Sequence, residues 1–73
     1  MSVTVRYWAG ARRAAGVDHE TLSVTTIGEL RTLLATRPEL TKVSEVASFL
    51  VNGQQLGEST SLPEGADVDV LPP

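Results

Sequence analysis

One stretch of this chain, Ile27 to Leu34, has the spacing of a helix with a single apolar face. Ile27, Leu30, Leu33 and Leu34 fall on that face, with polar residues around the rest. Thr26-Ile27-Gly28-Glu29 ahead of it is a capping box: the Thr26 hydroxyl can accept from the N–H of Glu29, and the Glu29 carboxylate can reach back to the N–H of Thr26. Pro38 should end the helix at about Arg37, because proline disfavours the α conformation in the residue before it. Glu29 near the start and Arg37 near the end both suit the helix dipole. Gly28 weakens the first turn by up to ~1 kcal/mol relative to alanine, and nothing in the sequence accounts for it. One helix with one apolar face must bury that face against another element of the fold.

The sheet is legible on both sides of the helix. Val3, Val5 and Tyr7 alternate with Thr4, Arg6 and Trp8, the period of two of a half-buried strand. Ala9 to Gly16 is alanine-rich and reads as a short helical turn, bracketed by Gly10 and Gly16. Glu20 to Val24 is a second strand and Ser48 to Val51 a third, with Glu39 to Val46 between helix and strand as loop or one short helical turn. Asn52-Gly53 signals a tight hairpin, since both positions tolerate positive φ. Gln54 to Leu56 can pair back only briefly. Gly57 to Ser61 is loop, and Asp67 to Leu71 is the last strand, stopped by Pro72-Pro73, which cannot donate to a ladder. The order β-β-α-β-β-β predicts an α+β fold, one helix on a mixed sheet. It resembles the β-grasp, or ubiquitin-like, fold, and that resemblance implies that the first and last strands are parallel neighbours at the centre. Residues 1–73 form one domain in this reading.

At 73 residues the core is small. A chain of this size buries only about 60% of its unfolded surface, and a pocket of the usual ~300–1,000 Å³ would hollow it. Catalysis by this chain alone is therefore not expected. Cysteine is absent, which removes disulfides, thiolate metal sites and iron–sulfur ligation and fits a reducing compartment. The start Met-Ser-Val-Thr-Val-Arg does not read as a signal peptide, and no apolar run approaches the ~18–20 residues of a membrane span. The expectation is a cytoplasmic chain with no membrane contact. With six Lys and Arg and a net charge of −3, a nucleic-acid partner is not expected either.

Few residues invite chemistry. His19, the one histidine, has no companions for a triad or a metal site and reads as a solvent-facing residue at a strand start. Asp67 and Asp69 share the outer face of the last strand; without a second wall they read as a solvated face or a contact to a basic partner rather than an acid–base pair. Arg12-Arg13 reads as a solvated turn, or as a contact to an acidic partner. Gly10-x5-Gly16 lacks the Lys-Ser/Thr of a phosphate loop. No catalytic, cofactor-binding or metal-ligating residue is assigned.

Trp8 and Leu71 break the pattern. Trp8 has the parity of Thr4 and Arg6, and Leu71 that of Asp67 and Asp69, so two large apolar side chains fall on a polar face. If the first and last strands are parallel, both lie at one edge beside Pro72, an apolar patch suited to a protein partner. The competing reading is that the Gly57–Pro63 loop covers that face and makes them a secondary core.

Taken together, Val5-Arg6-Tyr7-Trp8-Ala9-Gly10-Ala11-Arg12 with Gly16, the helix from Ile27, Leu50-Val51-Asn52-Gly53, and Leu62-x-Glu-Gly-Ala-Asp-Val-Asp-Val-Leu-Pro-Pro resemble the MoaD/ThiS family of sulfur-carrier proteins, most closely its molybdopterin synthase small-subunit branch. The resemblance implies a non-catalytic carrier with no bound cofactor. A few residues beyond Pro73 it implies a tail ending in Gly-Gly, whose carboxylate is adenylated by an E1-like adenylyltransferase and converted to a thiocarboxylate. It implies that the tail enters the large subunit of molybdopterin synthase, and it assigns Trp8, Leu71, Pro72 and Pro73 to that contact. Two other readings share the same residues: a carrier for a thiamin-type pathway, and a tail-less ubiquitin-like interaction module.

Overall fold

The structure, a computed structural model, describes residues 2–73. Its elements are β1 (Val3–Tyr7), α1 (Ala9–Ala15), β2 (His19–Leu22), α2 (Ile27–Ala35), a 3₁₀ turn (Pro38–Leu40), α3 (Thr41–Val46), β3 (Ser48–Val51), β4 (Gln54–Gln55) and β5 (Asp67–Leu71). The five strands form one sheet in the order β2-β1-β5-β3-β4. β1 and β5 run parallel at its centre, with Val5 opposite Val68 and Tyr7 opposite Val70; every other pairing is antiparallel. This is the mixed sheet of the β-grasp fold, with one main helix packed on it.

The alternation read from the sequence sets the two faces. Val3, Val5, Tyr7, Phe49, Val51, Val68 and Val70 point inward and are buried, and α2 closes over them with Ile27, Leu30 and Leu34. Leu40, Ala47, Leu62 and Ala66 complete the core. At about 25 cal/mol per Å² of apolar surface, each buried Leu, Ile or Val adds roughly 1.5–3 kcal/mol. That face is therefore what holds so small a chain together.

Several local expectations need correction. The capping box forms in one direction as expected, with Glu29 N donating to Thr26 Oγ1 at 3.1 Å. The Glu29 carboxylate, however, reaches Thr25 rather than Thr26, accepting from its N–H at 3.0 Å and its hydroxyl at 3.1 Å. α2 ends at Ala35, two residues before Arg37, because the Thr36 N–H donates to Leu33 O at 3.2 Å and the Arg37 N–H to Leu34 O at 3.1 Å, and Arg37 is already extended ahead of Pro38 (φ −92°, ψ 120°). β2 begins at His19 and ends at Leu22, so Val24 is core without being strand.

The stretch Glu39 to Val46 is more ordered than expected. It is a 3₁₀ turn followed by the six-residue α3, with Leu40, Ser44 and Ala47 buried along one side. Ser44 satisfies its hydroxyl on the Thr41 carbonyl at 2.6 Å. The Ala9–Gly16 turn is a seven-residue helix closed by Gly16 at φ 78°.

Gly28 also finds its reason. Its N–H donates to the Glu58 carbonyl at 2.8 Å, and a Cβ at this position would stand 3.3 Å from that oxygen. The loop after β4 is thus laid against the start of α2, with Leu62 N bonded to Thr25 O at 2.8 Å and Arg31 Nε 2.5 Å from Glu58 Oε1. This contact is an ion pair rather than an aligned hydrogen bond.

Candidate functional site at the tail end of the sheet

Because β1 and β5 are parallel, their C-terminal ends lie together, and the chain leaves the sheet there through Pro72 and Pro73. Tyr7 is opposite Val70, so Trp8 and Leu71 are the next residues along each strand. Trp8 is the N-cap of α1 with extended backbone. Its N–H still donates to Val70 O at 3.2 Å, which keeps it on the sheet.

The Trp8 side chain is 47% exposed, and its indole Nε1 donates to Asp69 Oδ1 at 3.0 Å. Leu71, Pro72 and Leu50 are partly buried and Pro73 is exposed. Leu50 stands opposite Asp69, and Ser48 opposite Leu71. The sequence reasoning singled out Trp8 and Leu71 and missed Leu50 and the Trp8–Asp69 bond. Leu50 was discoverable, since it alternates with Phe49 and Val51 and so must face away from the core.

The Gly57–Pro63 loop does not cover this end. Its contacts run to Thr25, Thr26 and Gly28 at the start of α2, on the other face of the sheet. The alternative in which Trp8 and Leu71 form a secondary core beneath that loop is thereby set aside.

The outward carboxylates are engaged within the chain rather than paired with each other. Asp67 Oδ2 lies 3.5 Å from Arg6 Nη2, both half-exposed, and Asp69 holds the Trp8 indole. His19 is exposed and opposite Arg6. Beside Trp8 there is a shallow depression of about 230 Å³ between Arg6, Arg12, Asp18 and His19, spanned by an exposed Arg12–Asp18 pair at 3.5 Å. A wider open groove on the outer side of α2, near Leu33 and Glu58, is remote from the tail end. Among the described residues, no three His, Asp or Glu side chains come together as metal ligands. Nor, among the described residues, is any helix long and apolar enough to cross a membrane.

Beneath the site a polar network fixes β1 against β2 and the end of α2. Tyr7 Oη donates to Glu20 Oε2 at 2.6 Å, and Arg37 donates to both Glu20 oxygens at 2.6 and 2.9 Å. The Arg37 hydrogen bonds hold the Glu20 carboxyl below its ordinary range, against the opposing effect of burial. Burial first, and then the hydrogen bond to Glu20, push the Tyr7 phenol well above its ordinary value. Tyr7 is thus held as a neutral donor and Glu20 as an anion.

A search of curated protein sequences finds no match. Solved structures do match. The Helicobacter pylori complex of subunits 1 and 2 of molybdopterin-converting factor contains a chain that superposes with a TM-score of 0.82 at 23% identity, covering 100% of this chain and 95% of that one. A molybdopterin converting factor subunit 1 from Pyrococcus furiosus gives 0.85 at 25% identity, covering 100% and 98%. The small archaeal modifier protein 1 of Methanosarcina acetivorans gives 0.84 at 25% identity, covering 99% and 92%. The fold is therefore shared by molybdopterin-converting-factor subunits and by a small archaeal modifier protein. The sequence model of the ThiS family matches residues 5–73, almost the whole length over which the sheet, the helix and the Leu-Pro-Pro end have been traced, and this chain accordingly belongs to the ThiS family, with the fold of the MoaD/ThiS sulfur carriers.

Proposed function

We propose that the chain is the small, sulfur-carrying subunit of a molybdopterin synthase, working in the cytoplasm without a bound cofactor. In this reading a Gly-Gly tail follows Pro73. An E1-like adenylyltransferase transfers AMP from ATP to its carboxylate, releasing pyrophosphate, and a sulfide-level donor then displaces AMP to leave a thiocarboxylate. The tail enters the large subunit, which supplies the catalytic site, while Trp8, Leu71, Pro72 and Pro73 dock the folded domain. Glycine suits such a tail because a chain without Cβ atoms is thin and flexible enough to thread a channel.

The observation that carries the reading is the apolar Trp8–Leu71 end standing open where the chain leaves the sheet. It is supported by the likeness to the Pyrococcus furiosus converting-factor subunit. Intact-mass measurement of the protein from its own cells tests it. A chain extended to Gly-Gly, with a fraction in which one oxygen is exchanged for sulfur, is expected; a mature chain ending at Pro73 would sink the proposal. The ThiS match equally supports a thiamin-type carrier. Capture of a thiazole synthase in place of the large synthase subunit would decide for that alternative.

A further inference from the structure

Three charged side chains stand together on the outer face of the central strands: Arg6 on β1, and Asp67 and Asp69 on β5. Arg6 is opposite Asp69 in register, yet its guanidinium is paired with Asp67. One negative charge is therefore left over, on Asp69. Its Oδ1 accepts from the Trp8 indole. That is a bond from a neutral donor and leaves the charge in place. Apart from Arg6 across on β1 and the Asp67 paired with it, the neighbours of Asp69 are apolar: Trp8 at its carboxylate, Leu50 opposite on β3, and Leu71 two residues along the strand. A protein that covers Trp8, Leu50 and Leu71 must cover the Asp69 carboxylate too. Burying a carboxylate without a compensating cation is strongly unfavourable.

We propose that the partner seated on this end of the sheet presents an arginine to Asp69. A guanidinium can donate to the carboxylate while its flat face lies against the Trp8 ring, which a lysine ammonium does less well. The indole–carboxylate bond sets the two halves of such a receptor side by side before the partner arrives. This inference rests on the docking reading above and adds the chemistry of the partner's surface: an apolar patch with one arginine at its centre.

The test is titration of the full chain, tail included, with the large converting-factor subunit of the same organism. Asp69→Asn keeps an oxygen for the Trp8 indole but removes the charge. It is expected to weaken binding at least about tenfold, as loss of one member of a buried charge pair does, and to flatten the salt dependence of the affinity. Asp67→Asn, whose charge is already met by Arg6, is expected to change it less than about threefold under the same principle. Circular dichroism melting of the Asn variants checks that both fold. If Trp8→Ala weakens binding while Asp69→Asn leaves it unchanged, the arginine proposal is overturned and the docking reading stands. If wild type fails to bind, or Trp8→Ala and Leu71→Asp both bind normally, the docking reading falls and the arginine goes with it.

Discussion

Trp8 and Asp69, 61 residues apart in sequence, are joined across the central parallel strands by a 3.0 Å hydrogen bond from indole to carboxylate. Trp8 is the chain's one tryptophan, so its fluorescence reports on this bond directly. Asp69→Ala removes the acceptor and should raise the mobility of the ring, read as a fall in fluorescence anisotropy. Because the bond is exposed, the stability cost should stay near or below ~1 kcal/mol. Trp8→Ala should instead weaken a partner complex by roughly 2 kcal/mol or more, if the indole is the hot spot of the interface.

The Tyr7–Glu20–Arg37 network gives a prediction in pH. Glu20 titrates lower in the folded chain than in the unfolded one. Its contribution is therefore fully present above the unfolded glutamate range and is lost as pH falls through the depressed folded value. Glu20→Gln should remove that part of the acid sensitivity and cost about 1.5–3 kcal/mol at neutral pH, the range for hydrogen bonds to a charged group. In a chain of this size that is a fall of several degrees or more in melting temperature, at roughly 4–8 °C per kcal/mol. Tyr7 shifts upward, so its contribution holds below the ordinary phenol range and declines as pH rises beyond it. Thermal melts of wild type and Glu20→Gln across pH 3 to 7 check the acid limb, and an unchanged difference over that range would count against it.

Two helical glycines should respond oppositely to alanine. At Gly10, inside α1, an added Cβ meets nothing nearer than Arg13 Nη2 at 3.7 Å, so Gly10→Ala should stabilise by about 0.5–1 kcal/mol. At Gly28 the Cβ would press on the Glu58 carbonyl at 3.3 Å, the same oxygen its N–H bonds. The propensity gain should be cancelled there, leaving Gly28→Ala neutral or destabilised. Denaturant midpoints of the two variants measure the contrast.

Ala9, between Trp8 and the body of α1, has φ 47°, a left-handed conformation. An L-residue with a Cβ pays roughly 1–2 kcal/mol for it. Ala9→Gly should return part of this as stability, visible as a higher denaturant midpoint with unchanged slope. A lower midpoint would show that the alanine methyl packs better than its backbone angle suggests.

Much of this was legible in the sequence because apolar period and turn chemistry agree. The alternation of Val3-Val5-Tyr7 and Val68-Val70 defines the inward face, and Asn52-Gly53 makes its turn with φ 48° and 86°. The α3 stretch was not legible, because its buried side includes Ser44 and Ala47, a hydroxyl and a methyl that carry little hydrophobic signal. Gly28 could not be read because its reason lies at Glu58, thirty residues away through a loop. At the tail end, parity exposed Trp8 and Leu71 as misplaced apolar residues. The Trp8–Asp69 bond depends on the register between β1 and β5, which no local pattern carries.

The parallel pairing of β1 with β5 also has a mechanical meaning. Ser2 enters at one end of the pair and Pro73 leaves at the other, so tension between the chain ends pulls the two strands past each other lengthwise. The hydrogen bonds between them are then loaded together in shear instead of being peeled one by one. A domain hauled by its C-terminal end would resist stretching at its centre, and the segment after Leu71 would straighten before the fold gave way.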